Sequence, residues 1–273
     1  REPDPDFVFN NDLFAVKVSD GSIRRITATE NAEYRPSWSP DGKTIAYQAT
    51  RRGITDLETT MEDTHVWTVN ANGTNRREVG ASVDNRQGAP EWTRDGSSVY
   101  ATVQEHGHVR LYRLNVSSAQ AAVVINDPGT IGSFSIGRTG QIAYAYSSPS
   151  DLAQLYVRNA QGTPTPARAL TDLNADVLRG KAIAPMESFT FVSNDLKHEV
   201  EAWLVKPVGL TTTSSHPLIV NIHGGPHGVQ GPAFNFHNQV YAGLGWAVLM
   251  VNYRGSTGYG QALGDAVFRD QNG

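Results

Sequence analysis

Hydrophobic residues in the first two thirds of the chain come in short runs, broken by clusters of Gly, Asp, Asn and Ser. Short runs of this kind, rich in Val, Ile and aromatics and bounded by turn residues, predict strands rather than helices. The pattern repeats. "RPSWSPDGKTIAYQA" (residues 35–49) resembles "APEWTRDGSSVYATV" (89–103), and "GSFSIGRTGQIAYAYS" (132–147) is a worn copy. Each copy runs from an aromatic or apolar start through a turn into a short apolar strand. Asp41-Gly42 and Asp95-Gly96 predict tight hairpins, since Gly tolerates positive φ and Asp bonds its own backbone.

Between the copies a second element recurs: "LFAV" (13–16), "VWTV" (66–69), "LYRL" (111–114) and "LYVR" (155–158). The spacing approaches the roughly 40–45 residues of a four-stranded propeller blade. "RRGITDLETTMEDTH" reads as a loop insertion that lengthens the first interval. The expectation is a partial β-propeller of about three to four blades over residues 1–184. A closed propeller normally has at least four blades, so the ring is expected to be completed by chain or protein beyond this sequence.

The pattern changes near residue 185. "SFTFVS" and "VEAWLVKP" read as hairpin arms around the turn "NDLKH". "PLIVNI" (217–222) and "WAVLMVNY" (246–253) are continuous apolar runs, the kind expected of strands buried on both faces of an α/β sheet. A helix is expected over 235–245. A second helix over 259–270 would place Tyr259, Ala262, Leu263, Ala266 and Val267 on one face. Strand, loop, helix, strand, loop, helix is the start of an α/β domain, expected over 185–273 and to be incomplete there.

Composition narrows the function. The chain has 273 residues, a net charge of -4 with both signs mixed, and no cysteine. Disulfides, thiolate metal sites and a cysteine nucleophile are therefore excluded within it. No basic stripe marks a nucleic-acid binder, so no nucleic-acid partner is expected. No apolar run approaches the roughly 18 residues of a membrane span. The opening "REPDPDFVFN" lacks a signal peptide's basic and apolar regions, and the true N-terminus is expected to lie elsewhere. A soluble protein is expected, with the compartment (cytoplasmic, periplasmic or secreted) left open.

The candidate chemistry sits in "IVNIHGGPHG" (219–228), an apolar strand running into a glycine pair. Acyl transfer passes through a tetrahedral intermediate whose negative oxygen needs preorganised N–H donors. Pro226 has no N–H, so the candidate donors are Gly225, preferred by analogy with HGGG-type loops, and Gly224 as the alternative. A plain strand–helix connection competes with this reading. His223 and His227 are four apart, but Gly-Gly-Pro forbids the helix that this ligand spacing requires, and no metal is expected. His223 is expected to pin the loop, and His237 to sit on a helix surface. No serine lies in a G-x-S-x-G elbow; "RGSTG" fails because Arg254 holds the first position.

The SPDG-type turns, then "ESFTFVSNDLKHEVEAWLVKP", "PLIVNIHGGPHG" and "GWAVLMVNYRGSTGYGQAL", together resemble the prolyl oligopeptidase family of serine peptidases, nearest its acylaminoacyl-peptidase and dipeptidyl peptidase five branches. The resemblance covers nearly the whole chain. It implies a propeller capping an α/β-hydrolase domain, with residues 185–273 as the N-terminal portion of the latter. It implies a Ser-Asp-His triad C-terminal to the residues present, on a continuation of the chain or a second polypeptide. By position it assigns an oxyanion-hole N–H to Gly225 and structural roles to Arg254 and Tyr259, and it implies a peptide as the substrate and no cofactor; His223 and Pro226 are likewise expected to be structural at the site. Two other classes compete: a non-catalytic propeller that binds peptides or proteins, and an esterase. Residues that grip substrate are not legible. Glu58, Glu62 and Asp63 are candidates for a peptide amino terminus against a plainer reading as solvated loop charge. "NGT" (72–74) and "NVS" (115–117) match the glycosylation sequon.

Overall fold

The computed structural model describes residues 10–53, 62–159, 166–211, 215–268 and 270. They pack as two compact units: Arg1–Glu105 with Leu111–Asn126 and Thr257–Gly273, and His106–Arg110 with Asp127–Ser256.

The first unit begins with a two-stranded antiparallel ribbon, β1 (Phe14–Val16) and β2 (Ile23–Arg25). A four-stranded antiparallel meander follows: β3 (Asn31–Trp38), β4 (Thr44–Gly53), β5 (His65–Asn70) and β6 (Arg77–Glu78). A second meander comprises β7 (Glu91–Trp92), β8 (Ser98–Glu105), β9 (His108–Asn115, from Leu111 onward in this unit) and β10 (Ala121–Ile125).

Alternation along β4 explains how these sheets stack. Side chains on a strand point alternately to its two faces. Ile45, Tyr47 and Ala49 face a cluster with Leu13, Ile26 and Val69, while Ala46 joins Val66, Val79, Val99, Ala101, Val103 and Leu114. Both faces of one sheet are thus covered, which is how radially stacked propeller sheets share a core.

The second unit holds a third meander, β11 (Thr130–Ile136), β12 (Gln141–Ser148), β13 (Asp151–Asn159) and β14 (Arg168–Ala169). A short helix, α1 (Ala175–Leu178), leads to a mixed sheet of order β15-β16-β18-β17. Its strands are β15 (Met186–Val192), β16 (Glu199–Val205), β17 (Leu218–Asn221) and, after helix α2 (Phe236–Gly243), β18 (Ala247–Asn252). β17 and β18 run parallel with α2 as their crossover. The helix covers one face, where Ala184, Trp203, Val205, Ala242, Val248 and Met250 form the core. Asn235 caps it, its side chain accepting the Asn238 N–H at 3.1 Å. The last helix, α3 (Gln261–Asp265), belongs to the first unit.

The repeat copies fall on hairpins β3–β4, β7–β8 and β11–β12. The turns of the first two, and the turn of the β15–β16 hairpin, share one device. Ser39 Oγ and the Lys43 N–H both donate to Asp41, Thr93 Oγ1 and the Ser97 N–H to Asp95, and Ser193 Oγ and the Lys197 N–H to Asp195. Those bonds hold all three carboxyls below the usual carboxylate range, the side-chain hydroxyl contributing most.

Two expectations are corrected. The run 217–222 is not buried on both faces: Leu218 and Val220 are 53% and 50% exposed, since α2 covers only the opposite face and the described residues put nothing over this one. The helix expected over 259–270 is helical only across α3, with Leu263 and Val267 buried but Ala262 exposed. The Ala266 N–H bonds back to the Leu263 carbonyl, a tight i→i+3 turn that ends the α-helical ladder.

Candidate oxyanion site

The glycine loop leaves the C-terminal end of β17, the edge strand of the four-stranded sheet among the described residues. Gly225 has φ +136°, and a Cβ there would lie 2.6 Å from the His227 nitrogen, so no other residue fits without displacement. Gly224 carries no such restriction: a Cβ on it meets nothing within 4 Å. Gly228 is enclosed by His223 Nδ1 and the Gly224 carbonyl, 2.8 and 3.0 Å from where its Cβ would be. Pro226, half-buried, follows a cis peptide bond, and the Gly228 N–H closes onto its carbonyl at 2.9 Å.

His223 organises this loop. Its Nδ1 lies 3.1 Å from the Gly224 carbonyl and its Nε2 3.0 Å from Ser256 Oγ, a fully buried hydroxyl. The consistent tautomer has Nδ1–H donating to Gly224 and Nε2 accepting from Ser256. The ring stacks on Tyr253 at 4.5 Å, and the Tyr253 hydroxyl donates to the His223 carbonyl. Burial holds the Tyr253 phenol above its ordinary pKa, so it remains a donor at neutral pH.

One consequence follows from peptide geometry. The Gly224 C=O and the Gly225 N–H belong to the same planar trans unit and point in opposite directions. With the carbonyl turned toward His223, the Gly225 N–H is turned away from it. Among the described residues neither the Gly224 nor the Gly225 N–H meets an acceptor, and both glycines are exposed. An aimed, unspent donor is what a developing oxyanion needs.

The far end of the loop is held separately. The Gln230 N–H donates to Asn252 Oδ1 and Asn252 Nδ2 donates to the Gln230 carbonyl, both at 2.8 Å, with Asn252 fully buried at the end of β18.

The other predicted residues fall as follows. Arg254 is half-buried in the turn after β18, and His237 is exposed on α2. His227 is half-buried and not on a helix. Among the described residues no group of three His, Cys, Asp or Glu side chains is placed to hold a metal ion. Glu58 lies outside the described residues. Glu62 and Asp63 are not solvated loop charges: each is 5% exposed and paired, Glu62 with Arg52 at 3.4 Å and Asp63 with Arg86 at 2.9 Å. Burial pushes the Glu62 carboxyl above its ordinary pKa. Sequence reasoning missed Ser256, Tyr253 and Asn252. Asn252 and Tyr253 fell at the end of the apolar run 246–253 and Ser256 in the turn "RGSTGYG" after it, but nothing local linked them to a loop some thirty residues earlier.

Known peptidases resemble this chain in sequence and in fold. The chain is 29% identical over 249 residues to dipeptidyl-peptidase 5 of Trichophyton schoenleinii, and equally to that of Arthroderma benhamiae, matching 89% of this chain and 34% of each relative. It therefore spans about a third of the length of these curated relatives. No family model matches it. Among solved structures it superposes on Pyrococcus horikoshii acylaminoacyl peptidase with a TM-score of 0.76 at 23% identity, over 94% of this chain and 38% of that one. On Porphyromonas gingivalis dipeptidyl peptidase 4 the TM-score is 0.72 at 16% identity, over 96% and 37%. The fold is shared with these peptidases, and in sequence the chain is similar to the dipeptidyl-peptidase 5 relatives. No helix among the described residues is long and apolar enough to cross a membrane.

Proposed function

We propose that this chain is the propeller and oxyanion-hole segment of a serine peptidase that cleaves short peptides or acyl-aminoacyl substrates. Residues 1–184 form part of the propeller, in three meanders and a ribbon, and residues 185–273 open the α/β-hydrolase domain. The triad lies on sequence outside this chain, either a continuation or a second polypeptide, and no cofactor takes part. A serine there attacks the peptide carbonyl, a histidine takes its proton, and the Gly225 N–H holds the resulting oxyanion. Gly224 is the alternative donor, and His223, Pro226 and Arg254 shape the site.

The observation that carries this reading is the peptide unit between Gly224 and Gly225, whose carbonyl is held by His223 while its N–H remains free. The names of the relatives, dipeptidyl-peptidase 5 and acylaminoacyl peptidase, support this substrate class. The uncovered apolar face of β17 accords with further hydrolase structure packing there.

The test is hydrolysis by the complete protein of dipeptidyl and acylaminoacyl anilides beside the matching esters. Amide cleavage is expected. Ester cleavage alone would make it an esterase. No turnover of either would leave a peptide-binding propeller.

A further inference from the structure

The turn between β8 and β9 is two residues long, and both have positive φ: His106 at 47° and Gly107 at 72°. This is the type I′ geometry of a tight hairpin, and by itself it asks only for a glycine at the second position. The surroundings of Gly107 ask for more. A Cβ there would lie 2.8 Å from Trp203 Nε1 and 2.9 Å from the Gln230 carbonyl. A Cβ on Gly231 would lie 1.8 Å from the Gly107 carbonyl. Two glycines thus bring two backbones into direct contact, and His108 closes the seat with an edge-on contact to Trp203 at 5.5 Å between ring centres.

What the turn presses on is the far anchor of the glycine loop. Gln230 is clasped by Asn252 through both of its backbone groups. Residues 230–231 therefore meet both the Asn252 amide and the Gly107 backbone. His223 fixes the start of the loop, and these two contacts fix its end.

We propose that Gly107 is a positioning residue for the oxyanion loop: the His106–Gly107 turn seats on Gln230 and Gly231 and so holds Gly225 at the reacting carbonyl. The seat rests on the reading of Gly225 given above. A side chain at position 107 would push residues 230–231 off Asn252 and let the loop drift, and a shift of about 1 Å in such a group can cost on the order of a hundredfold in rate.

Gly42 supplies the control. It sits in a hairpin turn with nearly the same φ, 69°, but a Cβ there meets nothing within 4 Å. Gly42→Ala carries the same backbone strain without the contact. Hydrogen exchange of this chain is read over residues 223–231 for both variants. Gly107→Ala is expected to speed exchange there roughly tenfold while Gly42→Ala leaves it unchanged. Equal exchange in the two variants overturns the proposal. Should Gly107→Ala not fold, Gly107→Asn takes its place, since Asn tolerates positive φ yet still carries the Cβ.

In the complete peptidase, Gly107→Ala is expected to lower kcat on an anilide by ten- to a hundredfold with KM within about twofold. A rise in KM at unchanged kcat overturns the positioning role. A wild-type protein without hydrolytic activity refutes the proposed function, whereas the exchange comparison still decides whether the turn holds the loop.

Discussion

His223 Nε2 lies 3.0 Å from the Ser256 hydroxyl although the two are 33 residues apart in the chain. The bond joins the loop after β17 to the turn after β18, two neighbouring parallel strands whose ends the sheet brings together. His223 can hold the Gly224 carbonyl only while its ring is oriented, and Ser256 is what orients it from the other edge. Ser256→Ala should cost about 1 kcal/mol of stability, measured by urea unfolding, as expected for one lost hydrogen bond. If the complete protein is the peptidase proposed above, Ser256→Ala should lower kcat more than it changes KM.

The two glycines separate by substitution. Gly225→Ala places a side chain at φ +136° and 2.6 Å from the His227 nitrogen, so the loop must move. Losing one oxyanion donor typically costs 10²–10³ in kcat. Gly224→Ala meets open space and should retain kcat within about threefold. The reverse order of effects would contradict the assignment of Gly225.

Gln87 is fully buried and fully used. Its Oε1 accepts the Val66 N–H at 2.8 Å, and its Nε2 donates to the carbonyls of Gly80 and Val83 at 2.8 and 2.9 Å. Gln87→Leu strands the Val66 N–H and the Val83 carbonyl, each costing about 1–3 kcal/mol when buried without a partner, while the Gly80 carbonyl keeps the Val83 N–H. Thermal or urea unfolding should show a loss of at least about 2 kcal/mol. A loss under about 1 kcal/mol would mean that the loop rearranges to satisfy those groups.

Glu33 sets a pH dependence of definite sign. Burial raises its pKa, and the hydroxyls of Thr27 and Thr29 together with Arg76 offset that only in part. The folded state therefore binds its proton more tightly than the unfolded chain, where Glu titrates near about 4.3. This contribution is fully present below that pH and is lost as pH rises through the folded value. Glu33→Gln removes the titration. Between about pH 4 and 7 the wild type should lose stability relative to Glu33→Gln, read from urea midpoints. Parallel profiles would contradict it.

Legibility followed the range of the interactions. The repeat copies and their Asp turns were readable because Ser39–Asp41 and Thr93–Asp95 are local contacts, encoded within a few residues. The glycine loop was readable because Gly225 stands where positive φ and a crowded backbone admit nothing else. Ser256, Asn252 and Gly107 were not readable. Each acts through a partner placed beside it by sheet pairing or hairpin docking, and a serine, an asparagine or a turn glycine carries no local mark of that. Glu62 and Asp63 misled for the same reason: their charge suggested solvent, whereas Arg52 and Arg86 come from other strands and loops. The exposed face of β17 could not be foreseen from an apolar run, which states what a strand can bury and not what covers it.

The central claim is that this chain supplies the oxyanion donor while the nucleophile lies outside it. The direct measurement is to label the complete active protein with a fluorophosphonate and locate the modified residue by peptide mass spectrometry. The account predicts one labelled serine in a G-x-S-x-G sequence outside residues 1–273, with labelling slowed by Gly225→Ala. A labelled serine within residues 1–273 would contradict it.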